Sequence, residues 1–451
     1  MKKIKPISGF PEWLPDQKLV EQYFIDRLRE KFELFGFTPI ETRSVEPLDQ
    51  LLKQGETDKE IYVLRRLQAA EGEGNLNLGL HYDLTVPFTR YVAQNRGQLQ
   101  FPMRRYQIQK AWRGERPQEG RYREFYQADI DIIAENDLPV YFDAEMVVLL
   151  HEVVTSLPIP RITVHINNRK VLEGFYRALG IEDVPAVLRA VDKLDKIGEQ
   201  AVSQILTATV GLAPAVVEKC LDLARIRGFD ASVADAIMDL GVQGDLLRAG
   251  VDELRYVMRI LEPLPGGSVV ADLHIARGFD YYTGTVYEGI MMGHEDLGAV
   301  CSGGRYDNLA SGGSSLKLPG VGISIGLSRI LGRLFSRGLL RASRSAPSSV
   351  LVALTSEETR PESNDVARAL RVRKIPCEVF HTPAKYGKQV QYAEKKGIPF
   401  VWFTQGEQTG GHEVRDIRTG VQAPADVNTW TPPPDDLSIK VSFDDRGRSG
   451  E

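Results

Sequence analysis

Residues Phe101 to Ile133 read FPMRRYQIQKAWRGERPQEGRYREFYQADIDII. Two extended runs flank a loop rich in Arg, Glu and Gly, which predicts a β-hairpin. Side chains alternate between faces along a strand. In the second run Arg121, Arg123, Phe125, Gln127, Asp129 and Asp131 share one parity, and Tyr126, Ala128, Ile130 and Ile132 the other. In the first run Arg105, Gln107, Gln109 and Arg113 fall together. A polar hairpin face ordinarily meets water. This one mixes Arg, Gln and Asp with little Lys or Ser and runs into apolar residues, which suits a face lining a ligand site.

At 451 residues the chain exceeds one comfortable core, so two or three domains are expected. With 42% apolar and 26% charged residues the composition is that of an ordinary globular protein. No apolar run approaches the ~20 residues of a membrane helix, and MKKIKPISGF lacks the apolar stretch of a secretory signal. Cys220, Cys301 and Cys377 are too widely spaced for a disulfide framework or zinc site. These features suggest the cytoplasm. A net charge of −5 and a pI near 5.9 argue against unspecific DNA coating, but a local basic surface for RNA is compatible with them.

Outward from the hairpin, apolar residues spaced by three and four (Leu19, Val20, Phe24, Leu28, Phe32) predict a helix within residues 11–37, followed by an extended Thr38-Pro39-Ile40. Strands are expected over 61–67 and 76–80. In LHYDLTVPFTRYVA, residues 80–93, Asp83 and Thr85 share a strand parity and Pro87 permits a helix start. A helix is expected from Val140 and a strand over 161–166. From about 184 to 261 helical periodicity takes over, reading as an inserted helical module. DLHIARGFDYYTGTVYEG, residues 272–289, reads as a strand pair, and residues 319–334 as a Gly-rich strand passing into a helix that carries Arg329. An Arg/Ser/Pro-rich linker over 341–349 precedes alternating β and α elements over 350–430. The tail, 431–451, reads as partly disordered.

The string Arg113, Glu115, then Gly120-Arg121-Tyr122-Arg123-Glu124-Phe125, Gln127, Asp129 and Asp131 resembles the second signature motif of class II aminoacyl-tRNA synthetases in its histidine-specific form. RGFDYYTG at 277–284, GGRYD at 303–307 and YDLTVPF at 82–88 are similar to further segments of the histidyl-tRNA synthetase family. His81 stands where that family usually carries Arg, and Phe279 where it usually carries Leu. The resemblance implies an α/β (α+β) fold: an antiparallel-sheet catalytic core over 1–340, interrupted by the helical insertion, then a mixed α/β anticodon-binding domain. It implies activation of L-histidine with ATP to histidyl-adenylate, then transfer to the 3′ end of tRNA(His), by a homodimer with Mg²⁺ on the phosphates. Lys193 and Lys196 in VDKLDKIG would face the tRNA acceptor arm.

The chemistry implied needs little proton transfer, because the attacking carboxylate is already ionised. It needs alignment and positive charge, for which planar guanidinium groups are well suited. By the resemblance, Arg113 and Arg277 are catalytic and flank the α-phosphate and the histidine carboxylate. Arg113, Glu115, Arg121 and Arg329 bind ATP. Asp83, Thr85 and Gln127 receive the α-ammonium, while Asp131 and Tyr282, beside Tyr281, hold the imidazole. No protein ligand for Mg²⁺ is identified. The competing reading is the non-catalytic, histidine-sensing regulatory paralogue of ATP phosphoribosyltransferase. It typically lacks the C-terminal domain and the Arg set, both of which this sequence keeps. No class I signature string occurs.

Overall fold

The hairpin forms as the alternation predicts, but its strands are shorter than the polar parity suggested. A computed structural model describes residues 5–52, 60–66, 77–275, 281–307, 317–405 and 411–444. The strands are Met103–Trp112 and Glu124–Ile133, paired antiparallel with Arg105 opposite Asp131. Arg113, Arg121 and Arg123 therefore lie in the connecting loop. Residues 128–133 are buried on both faces, which explains why the second strand becomes so apolar.

The chain divides into two compact units, residues 1–11 with 27–333 and residues 12–26 with 334–451. The first is built on a nine-stranded sheet. Its strands in chain order are β1 (Thr38–Pro39), β2 (Met103–Trp112), β3 (Glu124–Ile133), β4 (Ile162–Asn168), β5 (Arg227–Gly228), β6 (Val269–Asp272), β7 (Thr285–Met291), β8 (Cys301–Tyr306) and β9 (Gly320–Ile325). Their spatial order is β1-β2-β3-β9-β8-β7-β4-β6-β5. The pairs β1/β2 and β4/β6 are parallel and the rest antiparallel.

Of the strand pair expected over 272–289, residues 276–280 lie outside the described residues, and the described strands at its two ends do not pair with each other. β6 and β7 lie on opposite sides of β4, one parallel and one antiparallel to it. The helical stretch supplies the crossover that a parallel β4/β6 pair requires. It contains helices Val184–Val191, Leu194–Ala208, Pro214–Arg225, Val233–Met238 and Asp245–Leu261. One short strand within it, β5, adds to the sheet edge. Lys193 and Lys196 are exposed.

Helix α1 (Pro15–Leu34) ends with Gly36 at φ 77°, a left-handed residue that turns the chain into β1. Its buried Phe32 packs on Tyr106 of β2 at 5.6 Å. Helix α2 is Thr85–Asn95 and α3 is Tyr141–Thr155. Between β8 and α3 lies a buried charged network: the Arg305 guanidinium donates to Asp143 at 2.6–3.2 Å, and Thr285 donates to the same carboxylate at 2.6 Å. Burial of the carboxylate is offset only because the pair is bidentate and further hydrogen-bonded.

In the second unit a five-stranded sheet places Val350–Val352 parallel to both Cys377–Val379 and Phe400–Phe403, with Glu413–Asp416 and Gln422–Pro424 continuing antiparallel. Gln389, buried in the helix Tyr386–Lys396, bonds both backbone groups of Leu354. The stretch 341–349 and tail residues 431–444 are knitted into this unit. Leu340–Ala342 pairs with Val441–Phe443, and Arg344 donates to the carbonyls of Ala346 and Asp436.

Candidate active site

The alternation of β3 carries Gln127, Asp129 and Asp131 to the floor of a cavity of about 410 Å³ in the first unit. All three are buried. On the neighbouring strand β9, Ser324 stands opposite Asp129 and Gly322 opposite Asp131. The amide of Gln127 donates to the Ser324 hydroxyl at 2.8 Å. Gly322 makes room for the carboxylate: a Cβ there would lie 2.0 Å from Asp131 Oδ1 and 2.9 Å from the Ile130 carbonyl oxygen. Both Asp131 oxygens are engaged from below. Tyr306 Oη donates to Oδ1 at 2.8 Å, and Arg105 approaches Oδ2 at 2.5 Å.

Asp83 forms an adjoining wall. Its segment is not a strand, as the parity suggested, but the entry to α2. Asp83 Oδ1 accepts the Val86 N–H at 3.1 Å, which occupies one of the free amides of the first turn. That leaves Asp83 Oδ2, Asp129 Oδ1 and Gln127 Oε1 buried without a hydrogen-bond partner among the described residues. Three unsatisfied acceptors at one end of a cavity fit the three donors of an ammonium group. Burial pushes Asp83 and Asp131 up to about 7 and also raises Asp129, because each charge is removed from water and shares the space with its neighbours. Tyr281 and Tyr282 close this end, their rings edge to face at 4.8 Å, with Tyr281 also edge-on to Tyr306 at 6.1 Å. Gly304 on β8 admits the Tyr282 ring, since a Cβ would sit 2.9 Å from it.

The same cavity is also lined by cations. Arg113 is held by the Tyr82 carbonyl at 2.9 Å and lies 5.2 Å over the Phe125 ring. Arg121 contacts Glu115 at 3.3 Å. Arg329 comes from the first turn of the helix Leu327–Ser336 after β9. It donates to the Leu297 carbonyl, and its Nε is buried without a partner among the described residues. Burial, then the nearby Arg121, brings Arg329 down to about 10 against the opposing pull of Glu115. Burial and the neighbouring Glu115 raise Glu60.

The cavity thus collects Asp83, Thr85, Arg113, Glu115, Arg121, Gln127, Asp131, Tyr281, Tyr282 and Arg329, from segments spread over the first unit. Arg277 and Phe279 lie outside the described residues. His81 is buried away from the cavity, its Nε2 2.7 Å from the Lys110 carbonyl and its ring near Trp112. The sequence reading assigned no role to Asp129, Tyr306, Ser324 or Glu60. Asp129 shared the parity of Gln127 and Asp131, which was the available signal. Among the described residues no group of three or more His, Cys, Asp or Glu is arranged to hold a metal ion, so Mg²⁺ has no protein-only cage there. That donor set is compatible with an ion that keeps phosphate and water as most of its ligands.

A family model described as histidyl-tRNA synthetase matches residues 9–330, and one described as an anticodon binding domain matches 349–429. The chain is 55% identical to a histidine–tRNA ligase of Thermobifida fusca, over 94% of this chain and 97% of the relative. It is 52% identical to one of Cutibacterium acnes, over 97% and 98%. The crystal structure of histidyl-tRNA synthetase from a Nostoc species superposes with a TM-score of 0.84 at 34% identity, covering 94% of this chain and 97% of that one.

Proposed function

Because the chain belongs to the histidyl-tRNA synthetase family, we propose that histidine and ATP meet in this cavity and that its acidic and basic groups divide the substrates between them. The chain is an aminoacyl-tRNA ligase: it activates L-histidine with ATP to histidyl-adenylate and pyrophosphate, then passes the histidyl group to the 3′ end of tRNA(His). In the first step a carboxylate oxygen of histidine bonds to the α-phosphorus as the bond to the bridging oxygen of pyrophosphate breaks. The regulatory-paralogue reading is set aside, because histidine–tRNA ligases align over nearly the whole chain at 55% and 52% identity.

The observation that carries the site assignment is that one cavity holds buried, unsatisfied acceptors together with three guanidinium groups. Asp83, Asp129 and Gln127, with Thr85, take the α-ammonium. Asp131 and Tyr282, beside Tyr281, take the imidazole. Arg113 and Arg277 bracket the histidine carboxylate and the α-phosphate, the latter on the strength of the family resemblance alone. Arg329 and Arg121 hold the remaining phosphates, with Glu115 toward the adenine, and Mg²⁺ arrives on the nucleotide. The anticodon-binding unit takes tRNA(His), with Lys193 and Lys196 toward the acceptor arm. The protein works as a cytoplasmic homodimer.

The test is histidine-dependent ATP–pyrophosphate exchange on purified protein, with Arg113→Ala as control. Exchange supported by histidine alone among the amino acids, and lost in the variant, is expected. Histidine binding without exchange in the parent protein would refute the reading.

A further inference from the structure

Arg105 lies under the cavity floor rather than on it. It is fully buried and is not one of the lining residues. Strand pairing sets it directly opposite Asp131. Its Nη2 lies 2.5 Å from Asp131 Oδ2 and 3.3 Å from the Leu84 carbonyl, and its Nη1 donates to Gln107 at 3.3 Å. The guanidinium rests on the Phe88 ring at 4.3 Å. Leu84 and Phe88 belong to the segment that presents Asp83. One buried cation thus touches both the imidazole carboxylate and the backbone that carries an ammonium acceptor.

We propose that Arg105 is a positioning residue for histidine recognition: from beneath the floor it fixes the orientation and charge of Asp131, and so decides which proton form of the imidazole is accepted. This deepens the assignment of Asp131 to the imidazole and rests on it. Among the described residues, the groups facing Asp131 are Asp129 on its own strand, Arg105 on β2, Tyr306 on β8, Asp83 at the entry to α2, and Tyr281 and Tyr282 on the closing segment. Two of these are carboxylates and three are phenols, so Arg105 supplies the cationic contact of this set. With it, Asp131 can still ionise at about neutral pH and accept an N–H of neutral imidazole. Without it, three carboxylates share a dry space, Asp131 holds its proton, and its hydroxyl competes as a donor where an acceptor is needed. Tyr306, on the other oxygen, orients the carboxylate but adds no charge.

The test compares Arg105→Lys and Arg105→Met with the parent in histidine binding by calorimetry and in exchange kinetics, from about pH 6 to about pH 9. A midpoint moved by one unit corresponds to about a tenfold loss of affinity near neutrality. For Arg105→Met the expected result is a loss of about that size or more at pH ~7, recovered on raising the pH. The histidine KM should rise while kcat at saturating histidine stays within about threefold, because the interaction is with bound substrate in ground and transition state alike. Arg105→Lys keeps the charge and should keep the midpoint. Tyr306→Phe, which leaves the cation in place, covers the case in which Arg105→Met does not fold. It should move the midpoint upward by a smaller step, through loss of a donor to the carboxylate. An Arg105→Met variant weakened by one constant factor at every pH has lost only packing and overturns the proposal. So does a Tyr306→Phe variant whose midpoint stays put. Absence of histidine-dependent exchange in the parent would instead overturn the reading beneath it, so the two failures are told apart.

Discussion

Gly322→Ala tests the floor of the site with a single methyl group. The new Cβ would stand 2.0 Å from Asp131 Oδ1 and 2.6 Å from its Cγ, so the carboxylate cannot stay. It would also stand 2.9 Å from the Ile130 carbonyl oxygen, so a rotamer change alone does not relieve the clash. Asp131 must leave the Tyr306 hydroxyl and turn from the cavity. A hydrogen bond to a charged group contributes about 1.5–3 kcal/mol, which at about 1.4 kcal/mol per decade predicts a histidine KM raised roughly ten- to hundredfold. Overpacking should cost a further 1–3 kcal/mol or so of stability, without unfolding the domain. The assay is ATP–pyrophosphate exchange against histidine concentration, with the ATP KM as internal reference and Gly97→Ala as control, because a Cβ on Gly97 meets nothing within 4 Å. A folded Gly322→Ala protein with a histidine KM within twofold of the parent would show that Asp131 does not hold the imidazole.

Asp129→Asn should raise the histidine KM by about tenfold or more through loss of a charged acceptor; exchange kinetics read this, and an unchanged KM would remove Asp129 from the ammonium set. Arg329→Ala should lower kcat for exchange about 10²–10³-fold, the usual cost of removing one preorganised donor from developing charge, with Arg329→Lys recovering part of it; a change confined to histidine KM would move Arg329 to the other substrate. Asp83 and Asp131 are raised from the ordinary carboxylate value to about 7, so the folded protein binds more protons than the unfolded chain between about pH 4 and 7. Stability of the empty protein therefore falls as pH rises through that window. Histidine's ammonium favours the ionised carboxylates, so calorimetry at pH ~5.5 and ~8 should show larger stabilisation by histidine at the higher pH. Equal shifts at both would contradict the assignment.

The hairpin was readable because its buried half is apolar on one parity and polar on the other, and a strand can keep both only where the polar face borders a cavity. That parity brought Gln127, Asp129 and Asp131 together, but it could not tell which acceptors would be left without donors. That depends on Ser324, Tyr306 and Arg105, which arrive from three other strands by long-range register. Asp83 and Thr85 were drawn as a strand because a two-residue spacing suits a strand as well as a cap followed by the first helical residue. The described strands at the two ends of 272–289, β6 and β7, stay apart for a topological reason. Two adjacent β-rich runs ordinarily pair with each other, and nothing local reveals that β4, more than 100 residues earlier, lies between them.

On the proposed assignment, the acidic and basic groups of the cavity would orient histidine before any bond changes. A free amino acid near neutrality is a zwitterion, and the cavity offers both complements: carboxylates from β3 and the α2 entry, and guanidinium groups from the 113–121 loop and the helix after β9. Reversing the substrate would set its carboxylate against Asp83 and Asp129 and its ammonium against Arg113 and Arg329. Two unit charges about 4 Å apart interact by about 4 kcal/mol at an effective dielectric of ~20, so two such repulsions make the reversed pose negligible. The correct pose places an already ionised nucleophile beside the cations that receive the phosphates. Pairing that nucleophile too tightly would blunt it. Arg113 is shared between the Tyr82 carbonyl and the Phe125 face, so on the proposed assignment it would meet the substrate carboxylate already partly engaged. Its attraction would then be available for the charge that develops at phosphorus, where it accelerates the reaction, rather than for the resting carboxylate, where it would only lower KM.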